Sequence, residues 1–331
     1  MSKADGTSTD VGSARANRTS IKISIVGAGF VGATIAYTLV MRGTASEIVL
    51  VDANHARAEG EAMDIAHGAP FAAMSSIHAG GYPETAGSDL VIITAGTNQR
   101  PGETRLDLIQ RNAAIMHDVA VQVAQHSPDT VLLVVANPVD AMSYVAQRAT
   151  GFPAARVIGS GTVLDSSRFR YLLSRRFDNL DARNIHGFIL GEHGDSQFPA
   201  WSLVNVAGMG IDEAAATFGV DLDTTVRAEI ARDTVRAAYD IIERKNATYY
   251  GIGMAATRIV EAIVRDEHSI MSCSTLLDGA YGISGVYLSL PVVLTEHGVS
   301  HVLAPGLTAD EVAALHRSAE VLGQAQDSLA D

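Results

Sequence analysis

An apolar, largely β-branched run, Ile21–Val26, stops at Gly27-Ala28-Gly29-Phe30-Val31-Gly32 and gives way to a helix-forming stretch from Ala33 to about Arg42, closed by Gly43. Strand, glycines and helix in this order make the dinucleotide fingerprint G-x-G-x-x-G, which restricts a fold more than most local patterns do. Gly27 permits the tight turn, Gly29 lets a pyrophosphate approach the backbone, and Gly32 lets helix and strand pack closely. The helix N-terminus then offers free N–H groups and the positive end of its dipole to a phosphate. A purely structural glycine turn is the competing reading. The next strand weakens it: Glu47–Val51 ends in Asp52, about twenty residues past the last glycine. An acid there would bind ribose hydroxyls and repel a 2′-phosphate, favouring NAD over NADP.

The alternation continues with short strands at 77–80, 90–95 and 130–136 and a further one at 156–159, separated by helical stretches. The pattern predicts an α/β chain: a Rossmann-type, doubly wound parallel sheet followed by an α+β substrate-binding catalytic domain. The expected division is a disordered tail over 1–20, an NAD-binding domain over 21–162 and a catalytic domain over 163–331. Ligands of such sheets bind at the carboxyl ends of the strands. Three segments fall there: Thr94-Ala95-Gly96-Thr97, Ala136-Asn137-Pro138-Val139-Asp140 and Gly159-Ser160-Gly161-Thr162. Tyr82, just past the third strand, would border the adenine, with an exposed surface tyrosine an equal alternative.

The net charge of -13 disfavours a nucleic-acid backbone or an anionic membrane as the main partner. Cys273 is the sole cysteine, so an intramolecular disulfide and a CxxC metal or redox motif are excluded, and its apolar neighbourhood suggests a buried strand. The first twenty residues are rich in Ser, Thr, Asp, Ala and Gly without an apolar core, unlike a signal peptide, and no apolar run reaches the length of a membrane span. A cytoplasmic location is expected.

A candidate proton carrier lies further on, in Gly191-Glu192-His193-Gly194-Asp195, where flanking glycines would leave an imidazole reachable. His186 and His193 are seven residues apart without the companions a zinc site requires, so no metal is expected. Asp165-Ser166-Ser167-Arg168 opens a helix through Arg175 and puts an acid and an arginine three apart on one face; a surface ion pair is the plain alternative. Asn98–Arg105, polar with Pro101 and Gly102, precedes a helix over 106–125 and is a candidate lid. A long helical pattern over 216–245, with Val226, Ile230, Ala237 and Ile241 on one side, is interrupted by Asn246-Ala247-Thr248, an N-cap-type turn before a helix over about 254–265. Strands are expected over 270–276 and 281–290, paired with each other, and a last helix opens at Thr308 with Glu311 completing a capping box.

The glycine fingerprint, Asn98–Arg105, Ala136–Asp140, Asp165–Arg168 and Gly191–Asp195 occur in the order and spacing of one family. From about Ile21 to the C-terminus the chain resembles the L-lactate/malate dehydrogenase superfamily, and within it the bacterial L-lactate dehydrogenases. The resemblance implies that His193 exchanges the proton, Asp165 orients it, and Arg168 holds the substrate carboxylate through its fork. Arg105 would arrive with the loop and polarise the carbonyl, Asn137 would orient His193 and the substrate oxygen, and Thr248 would line the substrate pocket. Val31, Gly96, Thr97, Asn137 and Ser160 would join Gly27, Gly29, Gly32, Asp52 and Tyr82 around NAD.

Gln99, set in register by Pro101-Gly102, would face the variable group of the substrate where malate enzymes carry an arginine. Oxaloacetate would then bury a carboxylate without its ion partner, at roughly 3–5 kcal/mol. Pyruvate and L-lactate are therefore the expected substrates, with malate dehydrogenase the alternative within the family and a catalytically silent NAD-binding protein the alternative outside it. Arg170 and His186 match the phosphate ligands of bacterial enzymes activated by fructose 1,6-bisphosphate, which implies that activator and a homotetramer. Packing or surface roles are the alternative for both residues.

Overall fold

The computed structural model describes residues 20–97 and 105–329. β1 (Lys22–Val26) turns through the glycines into α1 (Phe30–Arg42), followed by β2 (Glu47–Val51), α2 (His55–Gly68), β3 (Ser76–Ala79) and β4 (Leu90–Ile93). Then come α3 (Arg105–His126), β5 (Val131–Val134), α4 (Val139–Thr150) and β6 (Val157–Gly159). These six strands are parallel in the order β6-β5-β4-β1-β2-β3. β1 has β2 on one side and β4 on the other, so the order reverses at the glycine turn, where a crevice opens at the strand ends.

The strands are apolar throughout because both faces are covered. Ile23, Ile25, Ile48 and Leu50 pack with Ile35, Leu39, Ala58 and Ala62 of α1 and α2. Val26, Val49, Val51 and Ile93, half a pleat away, pack with Met116, Val119 and Val123 of α3 and Met142 of α4.

The second half begins with α5 (Val163–Arg176), then five two-residue strands: β7 (Ile185–His186), β8 (Ile189–Leu190), β9 (Phe198–Pro199), β10 (Asn205–Val206) and β11 (Met209–Gly210). α6 (Ile211–Phe218), α7 (Thr224–Lys245) and α8 (Tyr250–Val264) precede β12 (Ser269–Asp278), β13 (Ser284–Thr295), β14 (Gly298–Val302) and α9 (Ala309–Asp327). β12 pairs antiparallel with β6 at Ser274 and Gly159 and carries β13 and β14 with it, so one nine-stranded mixed sheet runs through both halves. Cys273 is fully buried on β12, as expected.

The expected helix over 216–245 is two helices. Gly219 takes a left-handed conformation and its N–H caps Ala215 and Ala216, which ends α6. Asp223 then accepts from the Val226 amide and starts α7. The apolar side assigned to that segment is only partly inward: Ile230 is buried, whereas Ile241 is exposed. The helix expected from about Met254 starts at Tyr250, and Thr248 does not cap it, since Tyr249 holds the N-cap position. The strand expected over 281–290 begins at Ser284 and continues to Thr295, where it also pairs with β14. The capping box at Thr308 and Glu311 is formed, and Glu311 also accepts from Ser202.

α8 is pinned to α1. The Arg42 guanidinium grips the buried Glu261 carboxylate at 2.6 and 2.8 Å, and a Cβ on Gly253 would come within 2.5 Å of Thr34. The segment bearing Thr248 is thereby held near the helix that opens the glycine turn.

Candidate active site

The glycine turn is built for close approach. Gly27 has φ +110, and a Cβ there would lie 2.6 Å from Thr94 Oγ1; one on Gly32 would lie 1.9 Å from the Gly27 carbonyl. A Cβ on Gly29 would meet no protein atom within 4 Å, so that glycine leaves open space rather than a packed contact. α1 has no side-chain cap at its N-terminus, which leaves its amides for an anion. Asp52 at the end of β2 accepts from the Ala28 amide at 2.6 Å and from the Asn54 amide at 2.8 Å. These features fit a bound dinucleotide: an open cradle, free amides and an acid at the adjacent strand end. Tyr82 is half-buried, not a free surface tyrosine; burial first, then the charges of Asp118 and Asp52, push its hydroxyl pKa up.

At the opposite edge of the crevice, Asp165 and Arg168 share a face of α5 one turn apart. Asp165 is 1% exposed and divides its two oxygens: Oδ1 accepts from Arg168 Nη1 at 2.9 Å and Oδ2 meets His193 Nδ1 at 2.6 Å. The surface-pair alternative therefore fails. Burial alone would raise the Asp165 pKa; the charges and hydrogen bonds of His193 and Arg168 outweigh it and hold the acid below its usual range. Burial would likewise lower the His193 pKa, but Asp165, with a contribution from Asp140, raises it above its usual value.

The loop carrying His193 is fixed on three sides. Gly191, at φ +92, exchanges two backbone hydrogen bonds with Ser289 of β13. The His193 amide donates to Asp140 Oδ2 of α4 at 2.8 Å. Buried Glu192 accepts from Ser196 Oγ at 2.5 Å, and Ser318 of α9 donates to the Ser196 carbonyl. The acid bonded to the His193 ring is Asp165, from a different element, as the resemblance implies.

A cavity of about 310 Å³ opens over the histidine, lined by Thr97, Asn137, Asp165, Arg168 and His193 among others. Asn112 of α3 ties two of its walls together: Oδ1 accepts from the Thr97 amide and Nδ2 donates to the carbonyls of Thr97 and Asn137. Gly96 lies three residues past the end of β4, and Ser160 directly follows β6. Thr248 does not line this cavity. Gln99 and the side chain of Arg105, with the rest of the candidate lid, lie outside the described residues, as does the tail over 1–19. Arg170 and His186 sit apart from the cavity, on α5 and β7.

Sequence reasoning missed Asn112 and Asp140, whose partners are set by tertiary packing. It also missed Val235, Ala238 and Tyr239, which α7 contributes to the cavity. The Tyr239 hydroxyl donates to Asp195 at 3.3 Å. Among the described residues no cluster of acidic, histidine or cysteine side chains suits a metal ion, and no helix is long and apolar enough to cross a membrane.

Comparison with known proteins agrees with the geometry. The lactate/malate dehydrogenase NAD-binding domain matches residues 21–159, and the alpha/beta C-terminal domain of the same family matches residues 162–330. An L-lactate dehydrogenase of Thermoanaerobacter pseudethanolicus is 52% identical over 301 residues, covering 91% of this chain and 96% of that protein. L-lactate dehydrogenase 1 of Clostridium acetobutylicum is 49% identical over 308 residues, covering 93% and 98%. The crystal structure of the minor L-lactate dehydrogenase of Enterococcus mundtii in its ligand-bound form superimposes with a TM-score of 0.91 at 41% identity, covering 94% of this chain and 99% of that one. With both domain models matched in order and half of the residues shared with such relatives, the chain belongs to the lactate/malate dehydrogenase family.

Proposed function

We propose that this chain is a cytoplasmic L-lactate dehydrogenase that interconverts L-lactate and pyruvate with NAD. The observation that carries the reading is Asp165 bridging His193 and Arg168 inside one cavity at the strand ends. An ionised carboxylate only accepts hydrogen bonds, so Nδ1 of His193 carries a hydrogen and proton exchange falls to Nε2. Arg168 holds the substrate carboxylate with its fork and thereby sets C2 and its oxygen against the imidazole. NAD supplies the two-electron acceptor for oxidation and, when reduced, the donor for the reverse. In oxidation His193 takes the hydroxyl proton as C2 loses its hydrogen with the electron pair; in reduction the imidazolium returns the proton to the carbonyl oxygen.

Asn137 orients the same oxygen. Arg105 stabilises the charge developing on it; α3 opens at this residue and lines the cavity with Leu108, Ile109 and Asn112. Gln99 provides a neutral partner for the substrate methyl group. Asp52 receives the ribose. His193→Asn is expected to keep NADH binding, followed by fluorescence, and to lose about 10²- to 10⁴-fold in pyruvate turnover. Near-normal turnover would remove His193 from the chemistry.

Fructose 1,6-bisphosphate activates the homotetrameric enzyme in this reading. Its support is a cation without an acid: among the described residues no carboxylate pairs with Arg170, whose Nε donates to the Ser166 carbonyl and whose pKa burial lowers. A phosphate is a fitting partner for such a group, with the exposed His186 on the neighbouring strand. Addition of the bisphosphate is expected to shift the pyruvate saturation curve to lower concentration and to favour the tetramer in sedimentation. An unchanged curve would overturn the activation.

A further inference from the structure

His193 has a second buried acid besides Asp165. Asp140, the second residue of α4, is 2% exposed, and its Oδ2 takes the His193 amide. Its Oδ1 is buried without a hydrogen-bond partner among the described residues, and so is Ser274 Oγ on β12, which lies beside it without completing a bond. No arginine or lysine among the described residues pairs with Asp140. The groups that face it are His193 and Glu192 on the catalytic loop and the Ser274 hydroxyl, with Asp165 and Arg168 of α5 beyond the imidazole. Such a carboxylate is costly to bury. Burial pushes its pKa up to about 6, against the Ser274 hydroxyl and the amide and ring of His193. Asp140 is thus ionised at neutral pH, with its charge directed at the histidine.

We propose that Asp140 is a positioning residue for the proton transfer: its carboxylate anchors the His193 main chain and sets an uncompensated charge beside the imidazole. The inference rests on His193 being the proton carrier. It separates two tasks: Asp165 fixes the ring through Nδ1, and Asp140 fixes the backbone from the opposite side and helps set the pH at which the ring changes charge. Reduction needs the imidazolium and oxidation the neutral ring, so loss of the Asp140 charge should act in opposite senses on the two directions.

Asp140→Asn keeps an oxygen to accept from the His193 amide and removes the charge. The expected result is a shift of the His193 limb of both kcat/KM–pH profiles by about half to one unit toward acid. Pyruvate reduction on the alkaline side should then fall about three- to tenfold and lactate oxidation on the acid side should rise by a similar factor. A merely structural role would lower both directions at every pH. If wild-type profiles lack opposed limbs, His193 is not the proton carrier and both readings fall. If the wild type shows them and Asp140→Asn leaves them in place, only the present inference falls. Should Asp140→Asn not fold, Asp140→Ser, which removes the charge and keeps a short polar side chain, gives the same decision: the limbs should again move toward acid, and unmoved limbs in the folded variant overturn the role.

Discussion

At Asp165 one carboxylate serves two cations, and this division of its oxygens accounts for most of the site's chemistry. Arg168 and His193 hold the acid ionised, and the acid in turn keeps the imidazole protonated above its usual pKa of 6.5. The pH dependence takes its sign from this pairing. Pyruvate reduction should be level at low pH and fall as pH rises through the His193 value, whereas lactate oxidation should rise through the same value. Asp165→Asn removes the charge that holds the proton on the ring, so the reduction limb should move toward acid, and kcat should drop by about two orders of magnitude or more. Rate profiles in both directions check this, and a limb unmoved by Asp165→Asn would contradict it. The same shifts bear on folding. Asp165 contributes stability that is lost as pH falls below its unfolded value near 3.8, and His193 contributes stability that is lost as pH rises past 6.5 toward its folded value. The pair should stabilise the fold most between those limits.

At the scale of elements, the glycine turn shows how backbone geometry prepares a binding surface. Gly32 sits against the Gly27 carbonyl, where no side chain fits. Gly32→Ala should push α1 off β1, weaken NADH binding at least tenfold in a fluorescence titration, and destabilise the fold by about 1–3 kcal/mol. Unchanged binding would show that the close packing is not needed for the cradle. This motif was legible in the sequence because its glycines, strand and acid all lie within one βαβ unit. Asp165, Arg168 and His193 were legible through their family pattern, although periodicity alone left the first two as a surface pair. Asp140 and Asn112 were not, since the meeting of α4 with the histidine loop and of α3 with two strand ends depends on packing between distant segments. The division between α6 and α7 was marked by Gly219 and Asp223, but the recurring apolar positions of 216–245 masked it.

Across the whole molecule, one sheet joins the two halves of the chain. β12 lies against β6, so the hairpin of β12 and β13 reaches from the dinucleotide side to the catalytic loop, where Ser289 pairs with Gly191. α8, locked to α1 by Arg42 and Glu261, ties the second half to the cofactor helix, and α9 holds the histidine loop through Ser318. His193, Arg168 and the glycine turn are thus parts of one continuous framework, which suits a reaction that needs all three within contact of a small substrate. The pairing of β12 with β6 links residues far apart in the chain, and no local pattern announces it. In the proposed function this framework handles a 2-oxo acid with a neutral side group. The most direct test is kcat/KM for NADH-dependent reduction of pyruvate and of oxaloacetate by the purified chain. Pyruvate should be favoured by about two orders of magnitude or more; a preference for oxaloacetate, or NADH binding without turnover of either acid, would contradict the account.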